Sequence, residues 1–291
     1  MKKPVFEGIC TALVTPFLGD QLNIPMFRKL LQRQMDAGVR AITVCGTTGE
    51  SPTLSDPEKL RLFREAKQWC GDHAVIVAGT GSNCTEHAVS LSRAAQDQGA
   101  DALLVVTPYY NKATEQGLIA HYSAIAEAVS IPIILYNVPS RTGVDISVSV
   151  CRELSALPNI AGIKEASPDL RKVLKLRQQC PEDFYIYSGN DDLLLPFLSL
   201  GAKGLISVAS NVKPQALCSI YEKFAFGKMM QAQRDFLSLE PLMEALFSEV
   251  NPIPVKAAMG EIGLDCGSCR LPLTDLSPRH RAQLKKVLSE G

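Results

Sequence analysis

Short apolar runs alternate regularly with helix-forming segments through residue 226, and this alternation restricts the chain to few fold classes. Eight of these runs have the length of a β-strand and are rich in Val, Ile and Leu, without strict polar alternation. Continuous runs of this kind are typical of parallel strands that are buried on both faces. The runs lie at residues 9–14, 41–44, 75–78, 102–106, 131–136, 160–164, 184–188 and 204–208.

The segments between the runs carry helix signals. Ser55 stands three positions before Glu58 and forms a capping box, which predicts the start of a helix over residues 55–70. Gly71 follows and is expected to end that helix. Residues 24–37 carry apolar side chains at helical spacing, which predicts a second helix with one buried face.

A helix-ending glycine, a short turn and the next strand recur as a weak internal repeat. The repeat appears at Gly38, Gly99 and Gly201. The strands begin about 20–34 residues apart, which is the length of a βα unit. Eight such units predict a (β/α)8 TIM barrel. An open doubly wound sheet is the alternative, but the chain has no dinucleotide-binding fingerprint.

The strand pattern stops after residue 226. Three segments beyond that point have helical periodicity, at residues 228–246, 254–263 and 278–288. We therefore expect a catalytic barrel over residues 1–226. Residues 227–291 are expected to form a C-terminal three-helix extension that packs on the barrel or on a second subunit.

Composition excludes several functional classes. The 291 residues include 30 Lys and Arg against 30 Asp and Glu, and nucleic-acid-binding domains normally have a basic excess. No apolar run approaches the roughly 20 residues that span a membrane, and the first residues do not resemble a signal peptide. We expect a cytoplasmic protein whose nine cysteines are reduced. Cys266 and Cys269 form the one CxxC pair, which lacks the second pair of a zinc site.

Active sites of TIM barrels lie at the carboxyl ends of the strands. Lys164 closes an apolar strand there, and a desolvated lysine amine can form a Schiff base with a ketone. The alternative is a lysine that pairs with the adjacent Glu165. No cluster of histidines or carboxylates follows the strand ends, so we do not expect a catalytic metal.

Three further groups follow strand ends and could act with such a lysine. Tyr136 could transfer protons, or it could be an ordinary core tyrosine at the rim. The hydroxyls and amides of Thr47 and Thr48 could hold an anion, although many loops have a similar composition. Arg141 could bind a substrate carboxylate, or it could be a solvated loop arginine.

Four motifs together resemble the dihydrodipicolinate synthase branch of the pyruvate-dependent class I aldolases, a family that includes N-acetylneuraminate lyase. They are GTTGE at 46–50, YYN at 109–111, YNVPSRTG at 136–143 and GIKEAS at 162–167. The resemblance starts at GICTALVTPF over residues 8–17 and extends through the C-terminal helices, in order and at fitting spacings.

The resemblance implies a reaction and a set of roles. Lys164 would form a Schiff base with pyruvate, and the enamine would attack L-aspartate 4-semialdehyde, whose carboxylate Arg141 would bind. The product would be 4-hydroxy-tetrahydrodipicolinate, in the diaminopimelate route of lysine biosynthesis. The proton relay would consist of Tyr136, Thr47 and Tyr110, the last from an adjacent subunit. The pyruvate pocket would be completed by Thr48, Gly189 and Ile206.

The same resemblance implies a homotetramer built as a dimer of dimers, without metal or other cofactor. Two other functions stay open. One is a sibling aldolase or lyase that acts on N-acetylneuraminate or a 2-keto-3-deoxy sugar acid. Both kinds of sibling, the sialic-acid lyases and the keto-deoxy-sugar-acid aldolases, typically lack the paired threonines together with the SRTG loop, and this chain has both features. The other is a catalytically silent barrel that binds a small acid.

Relatives that lysine inhibits usually carry a His and a Glu in an allosteric cleft at the dimer interface. This chain has Lys59 and His87 at those positions, whereas Ser51, Asn83 and Tyr109 match the family pattern. A cation at Lys59 should repel the ammonium group of lysine, and His87 supplies no carboxylate. The sequence therefore predicts that feedback inhibition by lysine is weak or absent.

Overall fold

The computed structural model describes residues 1–290. The strands in this part of the chain are β1 (Gly8–Ala12), β2 (Phe17–Leu18), β3 (Gln21–Leu22), β4 (Ala41–Val44), β5 (Val75–Gly79), β6 (Ala102–Val106), β7 (Ile133–Asn137), β8 (Ile160–Glu165), β9 (Tyr185–Ser188) and β10 (Gly204–Ser207). Eight of them close into a barrel in the order β1-β10-β9-β8-β7-β6-β5-β4. The predicted TIM barrel is confirmed, and the open doubly wound sheet is excluded. The short strands β2 and β3 form a separate antiparallel hairpin that the sequence analysis missed.

Helices separate the barrel strands and continue after them. They are α1 (Ile24–Asp36), α2 (Asp56–Cys70), α3 (Thr85–Asp97), α4 (Glu115–Ala128), α5 (Pro139–Thr142), α6 (Val148–Leu154), α7 (Leu170–Gln179), α8 (Leu194–Ser199), α9 (Pro214–Ala225), α10 (Met229–Ser238), α11 (Glu240–Ala245), α12 (Ile253–Glu261) and α13 (Pro278–Glu290). Along residues 1–290, none of the helices is long and apolar enough to cross a membrane.

Local sequence signals account for the ends of several elements. The backbone amide of Ser55 donates to Glu58 Oε2 at 2.9 Å, so the predicted capping box starts α2. The glycines of the internal repeat have left-handed backbone angles, with φ of 86° at Gly38, 87° at Gly99 and 85° at Gly201. Residues with a side chain rarely adopt these angles, which explains why glycine recurs where a helix must turn into the next strand.

The helix predicted over residues 228–246 is two helices in the structure, so four helices rather than three follow α9 within residues 1–290. The break falls at Leu239, between α10 and α11. Pro241 occupies the first turn of α11 and has no N–H group with which to continue α10. The other two predicted helices correspond to α12 and α13, with ends that differ by one or two residues.

The chain forms two compact units. One comprises residues 1–7 and 75–206, and the other comprises residues 8–74 together with those from Ser207 onward. In the first unit, β5 to β9 pair in parallel in sequence order. In the second unit, β1 pairs in parallel with β4. The division into a barrel over residues 1–226 and a helical region over residues 227–291 stays a prediction.

A close backbone approach in the first unit lies at Gly162 on β8. A Cβ atom there would lie 2.0 Å from the carbonyl oxygen of Tyr185 on β9. We expect Gly162→Ala to lower the free energy of unfolding by about 1–3 kcal/mol or more, because the strand must shift to relieve the overlap. Gly260→Ala on α12 is the matched control, since a Cβ atom there meets nothing within 4 Å. Urea titrations in which both variants had equal stability would contradict this account.

Candidate active site

The side chain of Lys164 lies close to that of Tyr136 on the neighbouring strand. Residues 136 and 164 are register partners on β7 and β8. Both side chains belong to buried residues, each 6% exposed. The Lys164 Nζ atom lies 4.3 Å from the centre of the Tyr136 ring. Among the candidate residues of the first unit, the structure thus brings together an amine and a phenol, which can exchange protons with a common substrate.

The carboxylate next to Lys164 is engaged elsewhere. Glu165 is fully buried, and its Oε2 atom lies 3.1 Å from Lys172 Nζ on α7. Lys164 itself forms no ion pair within residues 1–290. The expected alternative, a Lys164–Glu165 pair, is therefore not what the structure contains. The Lys164 amine is therefore not held in an ion pair, and its nitrogen is available as the nucleophile that Schiff-base formation requires.

Glu165 and Lys172 belong to a larger buried network that the sequence analysis did not find. The Asn137 side-chain amide donates to Asp145 Oδ1 at 2.7 Å and to Glu165 Oε1 at 2.9 Å. The amide of Ser167 donates to the same Glu165 oxygen at 2.7 Å, and Lys172 also contacts Asp145. The network ties the ends of β7 and β8 to α7. No local sequence motif indicates this network, because its residues come from separate elements.

The second unit contains the loop at residues 46–50, which we call the hydroxyl loop. It follows β4 directly, and Glu50 at its end has a left-handed φ of 57°. The amide of Gly49 bonds to the Gly46 carbonyl at 3.1 Å and that of Glu50 to the Thr47 carbonyl at 3.1 Å. The amides of Thr47 and Thr48 donate no hydrogen bond to any part of the chain within residues 1–290. This combination of amides and hydroxyls suits an anion.

The remaining first-unit candidates lie at or beyond strand ends. Arg141 is exposed in the single turn of α5, which Gly143 ends with a φ of 69°. Tyr110 is 91% exposed, with a left-handed φ of 73°. Gly189 follows β9 and donates to the Glu165 carbonyl at 2.8 Å; a Cβ atom there would lie 2.5 Å from Ala166 Cβ. Ile206 is fully buried on β10.

The two residues that depart from the lysine-cleft pattern have different surroundings. Lys59 is buried on α2, and its Nζ atom lies 3.4 Å from Asp56 Oδ1. His87 on α3 is half-buried, and its Nδ1 atom lies 3.2 Å from Ser82 Oγ. Neither position supplies a carboxylate to an incoming ammonium group.

The CxxC pair has no reactive character. Burial raises the pKa of both the Cys266 and the Cys269 thiol to about 12, so both stay protonated at neutral pH. Cys266 lies next to the Leu264 carbonyl, to which its Sγ donates at 3.2 Å. In residues 1–290, no three His, Cys, Asp or Glu side chains are grouped as metal ligands would be.

Comparison with known proteins identifies the family. Residues 5–291 match the model of the dihydrodipicolinate synthetase family. A 4-hydroxy-tetrahydrodipicolinate synthase from Caldicellulosiruptor saccharolyticus is 48% identical over 286 residues, which cover 98% of this chain and 97% of that protein.

Two solved structures are similar over almost the whole chain. A chloride-inhibited dihydrodipicolinate synthase from Acinetobacter baumannii, complexed with pyruvate, has a TM-score of 0.95 and 41% identity, with 98% of each chain covered. The enzyme from Cyanidioschyzon merolae, with lysine bound, has a TM-score of 0.96 and 40% identity, with 99% of this chain and 98% of that chain covered. The predicted resemblance is confirmed: this chain belongs to the dihydrodipicolinate synthetase family.

Proposed function

We propose that this protein condenses pyruvate with L-aspartate 4-semialdehyde to give 4-hydroxy-tetrahydrodipicolinate, in the diaminopimelate route of lysine biosynthesis. The observation that carries the proposal is the buried Lys164 amine, 4.3 Å from the Tyr136 ring centre, with the neighbouring Glu165 carboxylate bound to Lys172. The names of its relatives, one of them a complex with pyruvate, support the same reaction.

The reaction starts at the Lys164 amine. Its nitrogen attacks the C2 carbonyl of pyruvate, and water leaves to give an imine. Loss of a C3 proton converts the imine into an enamine, whose C3 atom attacks the aldehyde carbon of the second substrate. The amino group of that substrate then attacks C2, which closes the ring and releases Lys164. Tyr136 is assigned the proton transfers at C2 and C3 because its ring lies beside the amine.

The other residues bind substrate or relay protons in this proposal. Thr48 and its amide hold the pyruvate carboxylate, and Gly189 and the Ile206 carbonyl complete the pyruvate pocket. Thr47 and Tyr110 connect Tyr136 to solvent, with Tyr110 acting in an adjacent subunit. The 91% exposure of Tyr110 supports such a role, because an exposed aromatic side chain is available to a partner. The oligomer is proposed as a homotetramer, a dimer of dimers.

The electron sink is the imine itself, so the proposed reaction needs no metal and no further cofactor. We propose that it takes place in the cytoplasm. Because the chain has equal numbers of basic and acidic residues, attraction of the pyruvate anion and of the semialdehyde carboxylate must come from local groups rather than from a global field. Arg141 and the amides of the hydroxyl loop are the groups to which we assign it.

Arg141→Ala tests whether Arg141 acts on aspartate semialdehyde and not on pyruvate. We expect turnover of aspartate semialdehyde to fall by about 10- to 150-fold, because a charge-assisted hydrogen bond to its carboxylate is lost. Imine formation with pyruvate should change less than twofold or so, because pyruvate does not use this guanidinium. Steady-state rates and borohydride trapping measure the two steps separately. Arg171→Ala, at a residue outside the site, is the control. Equal losses in both steps would show this division of roles to be wrong.

Turnover assays with other substrates test the sibling function. Wild-type protein should consume pyruvate only together with aspartate semialdehyde, and should not cleave N-acetylneuraminate or 2-keto-3-deoxygluconate. Faster cleavage of either sugar acid would replace the proposed synthase by a lyase. A silent barrel would give no turnover with any of them and no covalent adduct with pyruvate.

Lysine should inhibit the enzyme only weakly. The buried cation at Lys59 and the absence of a carboxylate at His87 both disfavour an ammonium group. We expect millimolar lysine to lower the rate by less than about twofold, and His87→Glu to increase the inhibition by supplying the missing charge. Inhibition curves on both proteins measure this. Strong inhibition of the unaltered protein would contradict the prediction.

A further inference from the structure

The segment from Asn251 to Lys256 contacts the hydroxyl loop at two of its residues. Lys256 on α12 places its Nζ atom 2.8 Å from Glu50 Oε1. Both side chains are buried, with 3% of Lys256 and none of Glu50 exposed. Lys256 also donates to the Ser268 carbonyl at 2.9 Å, and the second Glu50 oxygen accepts from the Arg270 amide at 2.8 Å. Each member of the pair thus has a further hydrogen-bond partner, which favours the stability of a buried ion pair.

The ion pair holds a residue whose backbone conformation is uncommon. Glu50 has a φ of 57°, a backbone angle that residues other than Gly, Asn and Asp rarely adopt. Its carbonyl oxygen accepts hydrogen bonds from both the amide and the hydroxyl of Thr53, each at 3.0 Å, so the chain turns sharply after the loop. Because Glu50 is the last residue of the hydroxyl loop, the position of its side chain also fixes where Thr47 and Thr48 lie.

The second contact acts on the proposed substrate-binding hydroxyl. The Asn251 Nδ2 atom donates to Thr48 Oγ1 at 3.0 Å, and both residues are buried. A hydroxyl has one proton and two lone pairs. Because Thr48 Oγ1 accepts from Asn251, its own proton is directed to a different acceptor. A carboxylate oxygen beside Thr48 is such an acceptor.

We infer that Asn251 and Lys256 are positioning residues for the substrate carboxylate. Asn251 sets the direction of the Thr48 hydroxyl proton, and Lys256 holds the hydroxyl loop in place through Glu50. The inference rests on the proposed function only in that Thr48 binds the carboxylate of a 2-oxo acid. It requires neither aspartate semialdehyde as the second substrate nor a particular product.

Asn251→Asp tests the direction of the hydroxyl proton. The new carboxylate has the same shape as the amide but only accepts hydrogen bonds, so the Thr48 proton would turn toward it and away from the substrate. We expect the pyruvate concentration that half-saturates borohydride trapping of Lys164 to rise about 100-fold, and about 10-fold for Asn251→Ala. The rate at saturating pyruvate should change less than the half-saturating concentration. If both variants stayed within twofold of wild type, Asn251 would have no such role.

Lys256→Met and Lys256→Arg test the second contact. Lys256→Met should raise the half-saturating pyruvate concentration, and Lys256→Arg should restore most of the loss because the charge pair with Glu50 persists. If Lys256→Met fails to fold, the double variant Glu50→Gln with Lys256→Met removes the unpaired charge and should show the same weakened binding. Lys285→Met on α13, at a 57% exposed side chain, is the control. A normal pyruvate half-saturation in folded Lys256→Met, or in the double variant with Glu50→Gln, would overturn the inference.

Failure of the positioning role can be distinguished from failure of the proposed function. If wild-type protein traps pyruvate but does not react with aspartate semialdehyde, the proposed function fails and the positioning test still applies. If wild-type protein turns over both substrates and the Asn251 and Lys256 variants bind pyruvate normally, the positioning role alone fails.

Discussion

Lys164→Met is expected to abolish turnover, with a loss on the order of 10^4-fold or more, as for removal of other covalent nucleophiles. The methionine side chain has nearly the same length and fits an apolar strand end, but it has no amine to attack pyruvate. Because Lys164 forms no ion pair within the described residues, its removal leaves no buried charge without a partner. The loss should therefore appear in the rate and not in stability. Steady-state turnover and urea unfolding measure the two.

Lys164→Arg is the matched variant for this prediction. It places a guanidinium charge next to the Tyr136 ring, but arginine cannot be deprotonated at neutral pH, so this variant should be as inactive as the methionine variant. Residual activity of Lys164→Arg near one tenth of wild type would mean that the side chain acts electrostatically rather than as a nucleophile.

Lys172→Met is expected to lower the free energy of unfolding by about 3–5 kcal/mol, because it leaves the buried Glu165 carboxylate without its cation. Glu165 is fully buried, and Lys172 Nζ lies 3.1 Å from its Oε2 atom. Glu165 retains hydrogen bonds from Asn137 and Ser167, which offset part of the cost. Urea titrations at fixed protein concentration measure the difference.

Two further variants give this prediction its control. The double variant Lys172→Met with Glu165→Gln removes both charges and should recover most of the lost stability. Lys203→Met breaks a pair with Glu7 whose side chains are 40% and 52% exposed, and should cost less than about 1 kcal/mol. If Lys172→Met and Lys203→Met cost the same, the Glu165 charge is not buried in the way described.

The barrel could be predicted from the sequence because each strand has a local sequence signal. Runs such as residues 102–106 are apolar throughout, and the glycines at 38, 99 and 201 mark the turns that precede a strand. The helix break at Leu239 was missed because the apolar periodicity continues across Pro241, and a proline in a first turn does not disturb that pattern.

The positions of Lys164 and Tyr136 at the ends of apolar strands could also be predicted, because each stands at the end of an apolar run in the sequence. The contacts around these residues could not be predicted. Lys256 and Glu50 are 206 positions apart, and Asn251 and Thr48 are 203 apart. Glu165 and Lys172 lie close in sequence, but a lysine on a helix gives no sign that it points at a buried carboxylate. Contacts between elements depend on packing, which local patterns do not encode.

The proposed reaction depends on a Schiff base between Lys164 and pyruvate, and borohydride trapping followed by peptide mass analysis detects it. Incubation of wild-type protein with pyruvate and borohydride should add one reduced pyruvate to the peptide that contains Lys164. Omission of pyruvate, or the Lys164→Met variant, should give no adduct. An unmodified Lys164 peptide after treatment with saturating pyruvate, or an adduct on a different lysine, would contradict the account.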